Sequence, residues 1–349
     1  MTFLTVLVAI ICFGIIIMIH EAGHFFVAKK CGIRVLEFSI GMGPAIVSKQ
    51  RGETKYSLRV LPIGGYCAME GEDDSSDDPR AFRRQSVWKR MLVTAAGAVM
   101  NLILGFLLII LVICIDTAIT STTIAGFHTD DSGAGTAASE EWLQRGDTFV
   151  EINGLKIFTA SDISYALQNT DQDTYSVTVE REGQIISFEN VCFHDSATDG
   201  ILDFYVFGKE KTLKNVAVYT CKNFVSTARL IWISLFDLLR GKYGFKDLSG
   251  VVGIVDTTAE YVKQSATFRE GCMTLFDLMS FITINVGIFN LIPVPALDDG
   301  RLVFLVIEAI RRKQIPAKVE GMIHFVGLSA LMLLMIAITF QDIFKIINR

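Results

Sequence analysis

Four uncharged stretches dominate the polar and apolar pattern of the chain. Residues 2–19, 91–115, 278–297 and 321–341 carry no Asp, Glu, Lys or Arg, over 18, 25, 20 and 21 residues respectively. A helix rising about 1.5 Å per residue needs about 20 residues to cross the hydrocarbon core of a bilayer, so each run predicts a membrane-spanning helix. The first run lacks a basic start and a small-residue cleavage site, and its apolar core is too long for a signal peptide, so it too is read as a span. Residues 222–240, "KNFVSTARLIWISLFDLLR", tempt a fifth. Arg229 and Asp237 leave only seven uncharged residues between them, so this segment reads instead as an interfacial or domain-packing helix.

Between the spans the period changes. In "KYSLRV", Tyr56, Leu58 and Val60 alternate with Lys55, Ser57 and Arg59, the period-2 mark of a strand. With "VLEF" and "AIVS" upstream, and "GMGP" and "PIGGY" as punctuation, this predicts a small membrane-associated β-hairpin sheet. The acidic run "EGEDDSSDD" reads as a solvated loop. Residues 120–212 predict a separate β-rich domain, with short strands around the turn Asn153-Gly154, a helix in "DISYALQN" and a hairpin turning at Glu182-Gly183. The expected organisation is a first span over 1–28, a β-hairpin insert over 29–90 and a second span over 91–118. The β-rich domain (120–212) and an amphipathic connector (213–271) follow. A third span (272–300), a loop (301–320) and a fourth span (321–343) complete it.

Composition agrees with a polytopic α-helical membrane protein: 51% of residues are hydrophobic, 20% are charged and the mean hydropathy is +0.45. A net charge of −5 is unremarkable and says nothing about nucleic acid, and no nucleic-acid partner is expected. The seven cysteines include no CxxC pair, and Cys12, Cys114 and Cys272 lie in or beside apolar runs. Neither a disulfide framework nor a cysteine zinc site is indicated.

The first span ends in "HEAGH", residues 20–24. Four steps of about 100° return His24 to the helix face of His20, so both imidazoles can grip one ion while Glu21 stays near it as a general base. Ionisable groups inside a span are presumptively functional. Catalytic zinc usually takes a third protein ligand. His128 and His194 belong to the β-rich domain, and His324 begins the last span. The better candidates follow the third run, where "NVGIFNLIPVPALDDGR" breaks at Pro293 and Pro295 and continues into Asp298 and Asp299.

These features converge on a resemblance. "LQRGDTFVEINGLKIFTASDISYAL" is similar to PDZ domains of the bacterial protease-associated type. HEAGH in a first span, this domain, and "NLIPVPALDDGR" near the C-terminus together resemble the site-2 protease family of intramembrane zinc metalloproteases, most like the bacterial RseP/RasP group with one PDZ domain. The likeness covers nearly the whole chain, including "RVLPIGGYCAMEGE", "AGAVMNLILGF" and "LSGVVGIV". It implies a Zn2+ ion held by His20, His24 and Asp298, with Glu21 as catalytic base and Asn290, Pro293 and Pro295 facing the substrate. It also implies regulated intramembrane proteolysis of single-span membrane proteins, such as anti-sigma factors or signal-peptide remnants, in a bacterial cell membrane. Asp299 stands where the family commonly has glycine, and Ala98 and Val251 stand where proline is usual. The register of the motif assigns the ligand to Asp298.

If His24 and Asp298 meet at one ion, the first and third spans run in the same direction with a single crossing between them, which fixes four spans. The 12 Lys or Arg of residues 29–90 and the 5 of residues 298–320 then share one side, which is cytoplasmic by the positive-inside rule. The active site faces the cytoplasm and the PDZ domain lies outside, where it binds peptide or filters what approaches. Backbone pairing along Lys55, Tyr56, Ser57, Leu58 and Arg59 is a means of holding an unwound substrate, provided that strand has a free edge. Membrane lipid is the remaining partner. The rival readings are a PDZ-bearing membrane adaptor without catalysis and a zinc transporter. Intact HEAGH opposes the first, and second and fourth spans nearly bare of polar groups oppose the second.

Overall fold

A computed structural model describes residues 3–72, 76–129, 134–169, 173–196, 202–244, 253, 267–292, 297 and 300–347. It divides into two compact units, residues 1–108 with 235–349, and residues 109–234.

In the first unit, α1 (Phe3–Lys30) and α2 (Val87–Ile115, which continues into the second unit) pack closely at glycines. A Cβ on Gly23 would sit 2.5 Å from the Ala96 carbonyl oxygen. α5 (Phe268–Leu291) meets α2 in the same manner, since a Cβ on Gly105 would lie 2.3 Å from Ile284 and one on Gly287 would lie 3.0 Å from the Ala98 carbonyl oxygen. Thr283 Oγ1 donates to the Asn101 carbonyl at 3.2 Å and Ser280 Oγ to that of Gly105 at 3.1 Å. Small residues that let backbones approach, with hydroxyl bonds between helices, are the means by which helices associate where lipid removes the hydrophobic drive.

Contacts along α2 run from Gly105 down to Ala98 as α5 runs from Ser280 up to Gly287. They run from Asn101 down to Val93 as α1 runs from His20 up to His24. Both helices are therefore antiparallel to α2 and parallel to each other, as the span count requires. Helices α6 (Arg301–Arg311) and α7 (Ala317–Ile347) also belong to this unit. Four described helices are long and apolar enough to cross a membrane, at Ile10–Lys30, Val87–Ile115, Phe268–Leu291 and Lys318–Lys345.

The insert after α1 is two long bent strands, β1 (Val35–Arg51) and β2 (Thr54–Met69). Gly41, Gly43 and Gly64 take φ of 84°, 86° and 86°, the left-handed region where a side chain is strained, and the strands fold back there. The start of β2 is central as a result. Lys55, Tyr56, Ser57 and Leu58 pair with Gln50, Lys49, Ser48 and Val47 on one side and with Glu37, Phe38, Ser39 and Ile40 on the other. Residues 65–69 pair only with 35–40 among the described residues, so they form an edge.

Polar contacts tie the segment after β2 to α6 and the start of α7, where the expected loop 301–320 is helical over Arg301–Arg311 and from Ala317 on. Arg301 Nη1 reaches Glu72 at 2.7 Å, Arg83 Nη2 reaches Glu320 at 2.9 Å, and Arg90 makes a buried two-bond pair with Glu308. Losing one partner of such a buried pair costs about 3–5 kcal/mol.

The second unit is an antiparallel sheet in the order β7-β6-β4-β3-β8, with β5 beside β4. Its strands are β3 (Ile119–Phe127), β4 (Thr148–Ile152), β5 (Leu155–Lys156), β6 (Tyr175–Arg181), β7 (Gln184–Val191) and β8 (Phe204–Lys209), with helix α3 (Ala160–Gln168). Both expected hairpin turns form, with φ of 46° and 79° at Asn153 and Gly154 and of 52° and 80° at Glu182 and Gly183. The core packs Phe149, Val177, Val179 and Leu167. Fully buried Asp162 accepts from the Phe158 and Thr159 amides at 2.8 Å and from Ser226 and Arg229 of α4 (Leu213–Leu239) at 2.5 and 2.6 Å. One carboxylate thus caps α3 and pins α4 to the PDZ-like core, and α4 is a packing helix rather than a fifth span. Lys211 Nζ caps the C-terminus of α2 by donating to the carbonyls of Cys114 and Asp116 at 3.1 and 2.7 Å.

Candidate active site

His20 and His24 lie one turn apart on α1 and are 4% and 9% exposed, which removes both rings from bulk solvent. Their Nε2 atoms converge to 3.2 Å. His24 Nδ1 donates to the Val93 carbonyl at 2.8 Å, so the proton of the neutral ring sits on Nδ1 and Nε2, which faces His20 Nε2, carries none. His20 Nδ1 lies 3.2 Å from Asn101 Nδ2.

Facing the two rings is Gly97 of α2, where an added Cβ would lie 2.4 Å from His24 Nε2 and 2.5 Å from His20 Nε2. Two buried imidazoles, their outer nitrogens engaged and their inner ones aimed at space that only a glycine leaves open, are a donor set that suits zinc. Gly97 and Asn101 were not found from the sequence, because nothing in its periodicity says which face of α2 meets His20.

Glu21 borders the insert. A Cβ on Gly65 would stand 3.4 Å from Glu21 Cγ, so the edge strand 65–69 passes beside the expected base. An apolar cleft of about 210 Å³ runs along α1, lined by Ile11, Gly14, Met18, Ile40, Leu58 and Gly64 among others. Leu58 is 49% exposed, as are Val60 and Leu61 at 52% and 54%, an apolar surface suited to lipid or to an apolar chain.

The other strand residues expected to bind substrate are engaged in holding the insert together. Ser57 Oγ donates to Glu37 at 2.6 Å, and Lys55 Nζ lies 3.9 Å from the same carboxylate. Tyr56 packs on Phe25 and Phe38. Arg59 donates to Glu37 at 2.8 Å, to Ser39 at 2.9 Å and to the Gly43 carbonyl at 2.5 Å, and also contacts Tyr66. Burial alone would raise the Glu37 carboxyl. Hydrogen bonds from Ser57, Arg59 and Tyr66 outweigh it and hold the group below the ordinary carboxylate range, charged at neutral pH.

The condition for strand addition along 55–59 is not met, since residues 55–58 are paired on both sides. The edge strand near Glu21 is 65–69 instead. Asn290 is half-buried on α5, one turn beyond Gly287 and its contact with α2. Pro293, Pro295, Asp298 and Asp299 lie outside the described residues. Their flank is placed by Arg301, which is anchored on Glu72 just beyond the end of β2.

Membrane-length helices carrying a buried HExxH at a glycine-lined helix contact, with a β-insert and a PDZ-like domain, define a membrane-embedded metallopeptidase. The chain matches the description "Peptidase family M50" over residues 8–334 and belongs to that family, the site-2 protease family of zinc metalloproteases. It is 33% identical to a protein of Clostridium acetobutylicum described as a candidate zinc metalloprotease, over 100% of both chains. It is 30% identical to the regulator of sigma-W protease RasP of Bacillus subtilis, over 97% of this chain and 98% of that one, and 28% identical to the zinc metalloprotease RasP of Bacillus licheniformis over the same shares. The protein is a multi-pass membrane zinc metalloprotease whose cofactor is Zn2+.

Proposed function

We propose that the protein cuts single-span membrane proteins within the bilayer, near its cytoplasmic edge, with His20, His24 and Asp298 holding zinc and Glu21 acting as general base. The observation that carries this reading is the convergence of the His20 and His24 Nε2 atoms on the space left by Gly97, beside Glu21. Zinc, when bound, polarises the scissile carbonyl and acidifies the attacking water. Glu21 takes the proton of that water and delivers it to the departing amide nitrogen, a transfer that suits a carboxylate held next to the scissile bond.

A helical substrate hides its amides in its own hydrogen bonds, so it must be extended before attack. The edge of 65–69 offers backbone groups unpaired among the described residues beside Glu21, and the cleft along α1 offers an apolar seat for a substrate side chain. Lys55, Tyr56, Ser57, Leu58 and Arg59 serve that geometry chiefly by shaping the sheet, with Leu58 and Arg59 also lining the cleft. Asn290, Pro293 and Pro295 are the further residues assigned to substrate contact.

The basic insert and the segment 301–320 are joined by Arg83–Glu320 and Arg301–Glu72, which supports their lying on one side, the cytoplasmic one by charge. The PDZ-like domain then faces outward, where it takes a peptide or limits access. Anti-sigma factors and signal-peptide remnants are the substrate classes that fit. In proteoliposomes, mass spectrometry of a single-span substrate should place the cut inside its span. A cut confined to exposed loops would contradict the proposal.

A further inference from the structure

We propose that Asn101 is a positioning residue for the metal site: its carboxamide oxygen accepts the Nδ1 proton of His20 and fixes the tautomer that turns the Nε2 lone pair inward. This rests on His20 and His24 being the ligands proposed above.

Asn101 is fully buried on α2, one turn after Gly97. Its backbone is held in place, since the Asn101 carbonyl accepts from Thr283 Oγ1 of α5 at 3.2 Å. The side-chain nitrogen faces His20 Nδ1 at 3.2 Å, while Asn101 Oδ1 is buried without a hydrogen-bond partner among the described residues. A half-turn about the Cβ–Cγ bond exchanges the two ends of the carboxamide without moving the backbone.

Ligand chemistry decides between the two orientations. With Nδ2–H donating, His20 Nδ1 must be the bare nitrogen, and the proton of the neutral ring falls on Nε2, where it blocks a metal. With Oδ1 accepting, the proton sits on Nδ1 and Nε2 carries none. His24 shows the same arrangement achieved by a backbone group, its Nδ1 proton going to the Val93 carbonyl. One ring is oriented by a main-chain oxygen and the other by a side chain, so only the second can be altered by substitution.

The test is zinc affinity by chelator competition on the purified full-length protein, for wild type, Asn101→Leu, Asn101→Asp and His20→Ala. Leucine keeps the approximate size and removes the acceptor, so zinc should bind about 10–100-fold more weakly, the usual cost of losing a partner to a ligating histidine. Aspartate restores an acceptor and should bring affinity back close to wild type, and the contrast with leucine of similar size separates the acceptor from mere filling of space. Wild-type affinity in Asn101→Leu, or an equal loss in Asn101→Asp, would overturn the inference. Should the leucine variant not fold, Asn101→Ala carries the same expectation and overturns it on the same result. Retention of zinc by His20→Ala would instead sink the ligand set itself, and so separates the two failures.

Discussion

Gly97 shows how one missing methyl group leaves room at the candidate site. Its Cβ would fall within 2.5 Å of both Nε2 atoms, well inside van der Waals contact. Gly97→Ala should therefore yield a folded membrane protein with little bound zinc, as read by metal analysis of the purified variant. Wild-type zinc content would mean that the metal lies elsewhere. His20, Glu21 and His24 were legible in the sequence because one helix has a known period, and i and i+4 share a face. Gly97 and Asn101 were not, since a contact between two helices depends on rotations that no single-helix period records. The third ligand rests on motif register alone, with Asp298 and Asp299 outside the described residues. Asp298→Ala should lose zinc, while Asp299→Gly should keep both zinc and cleavage. The opposite pattern would move the ligand by one residue.

At the scale of elements, the alternation of residues 55–60 correctly marked a strand, but not its neighbours. Alternation says which face is apolar, whereas pairing depends on where the chain folds back, here at glycines with positive φ. The strand proves central, and the edge beside Glu21 is 65–69. Successive amides of a strand point to opposite sides, and proline removes one. Proline scanned through 65–69 should thus reduce cleavage in an alternating pattern, with zinc content unchanged. Uniform tolerance across the scan would end the idea that this edge holds substrate. The four spans were legible from their uncharged runs, and within 222–240 Arg229 is bound to Asp162 of the PDZ-like unit.

For the whole molecule, parallel α1 and α5 and the ion pairs joining residues 72–90 to 301–320 agree with a site at one membrane face. Which face that is follows from charge alone. Cys67 is a poor reporter of it: the thiol is buried, and burial together with the Glu21 and Glu72 charges pushes its pKa up, so little thiolate forms to react. Exposed Cys221 on α4 and a Gln50→Cys substitution at the tip of the insert are better placed. In otherwise cysteine-free proteins, an impermeant thiol reagent on intact cells should tag Cys221 and spare the position-50 thiol until the cells are opened. The reverse would invert the orientation.

The central claim is that Glu21 moves the proton in a cleavage carried out by zinc held on its neighbours. Glu21→Gln preserves the size and shape of the side chain and removes its basicity, while His20 and His24 are untouched. The direct measurement pairs zinc content with cleavage of a co-reconstituted single-span substrate, in wild type and in this variant. Wild-type zinc content with cleavage abolished is the predicted result. Cleavage within a few-fold of wild type, at equal zinc content, would contradict the account.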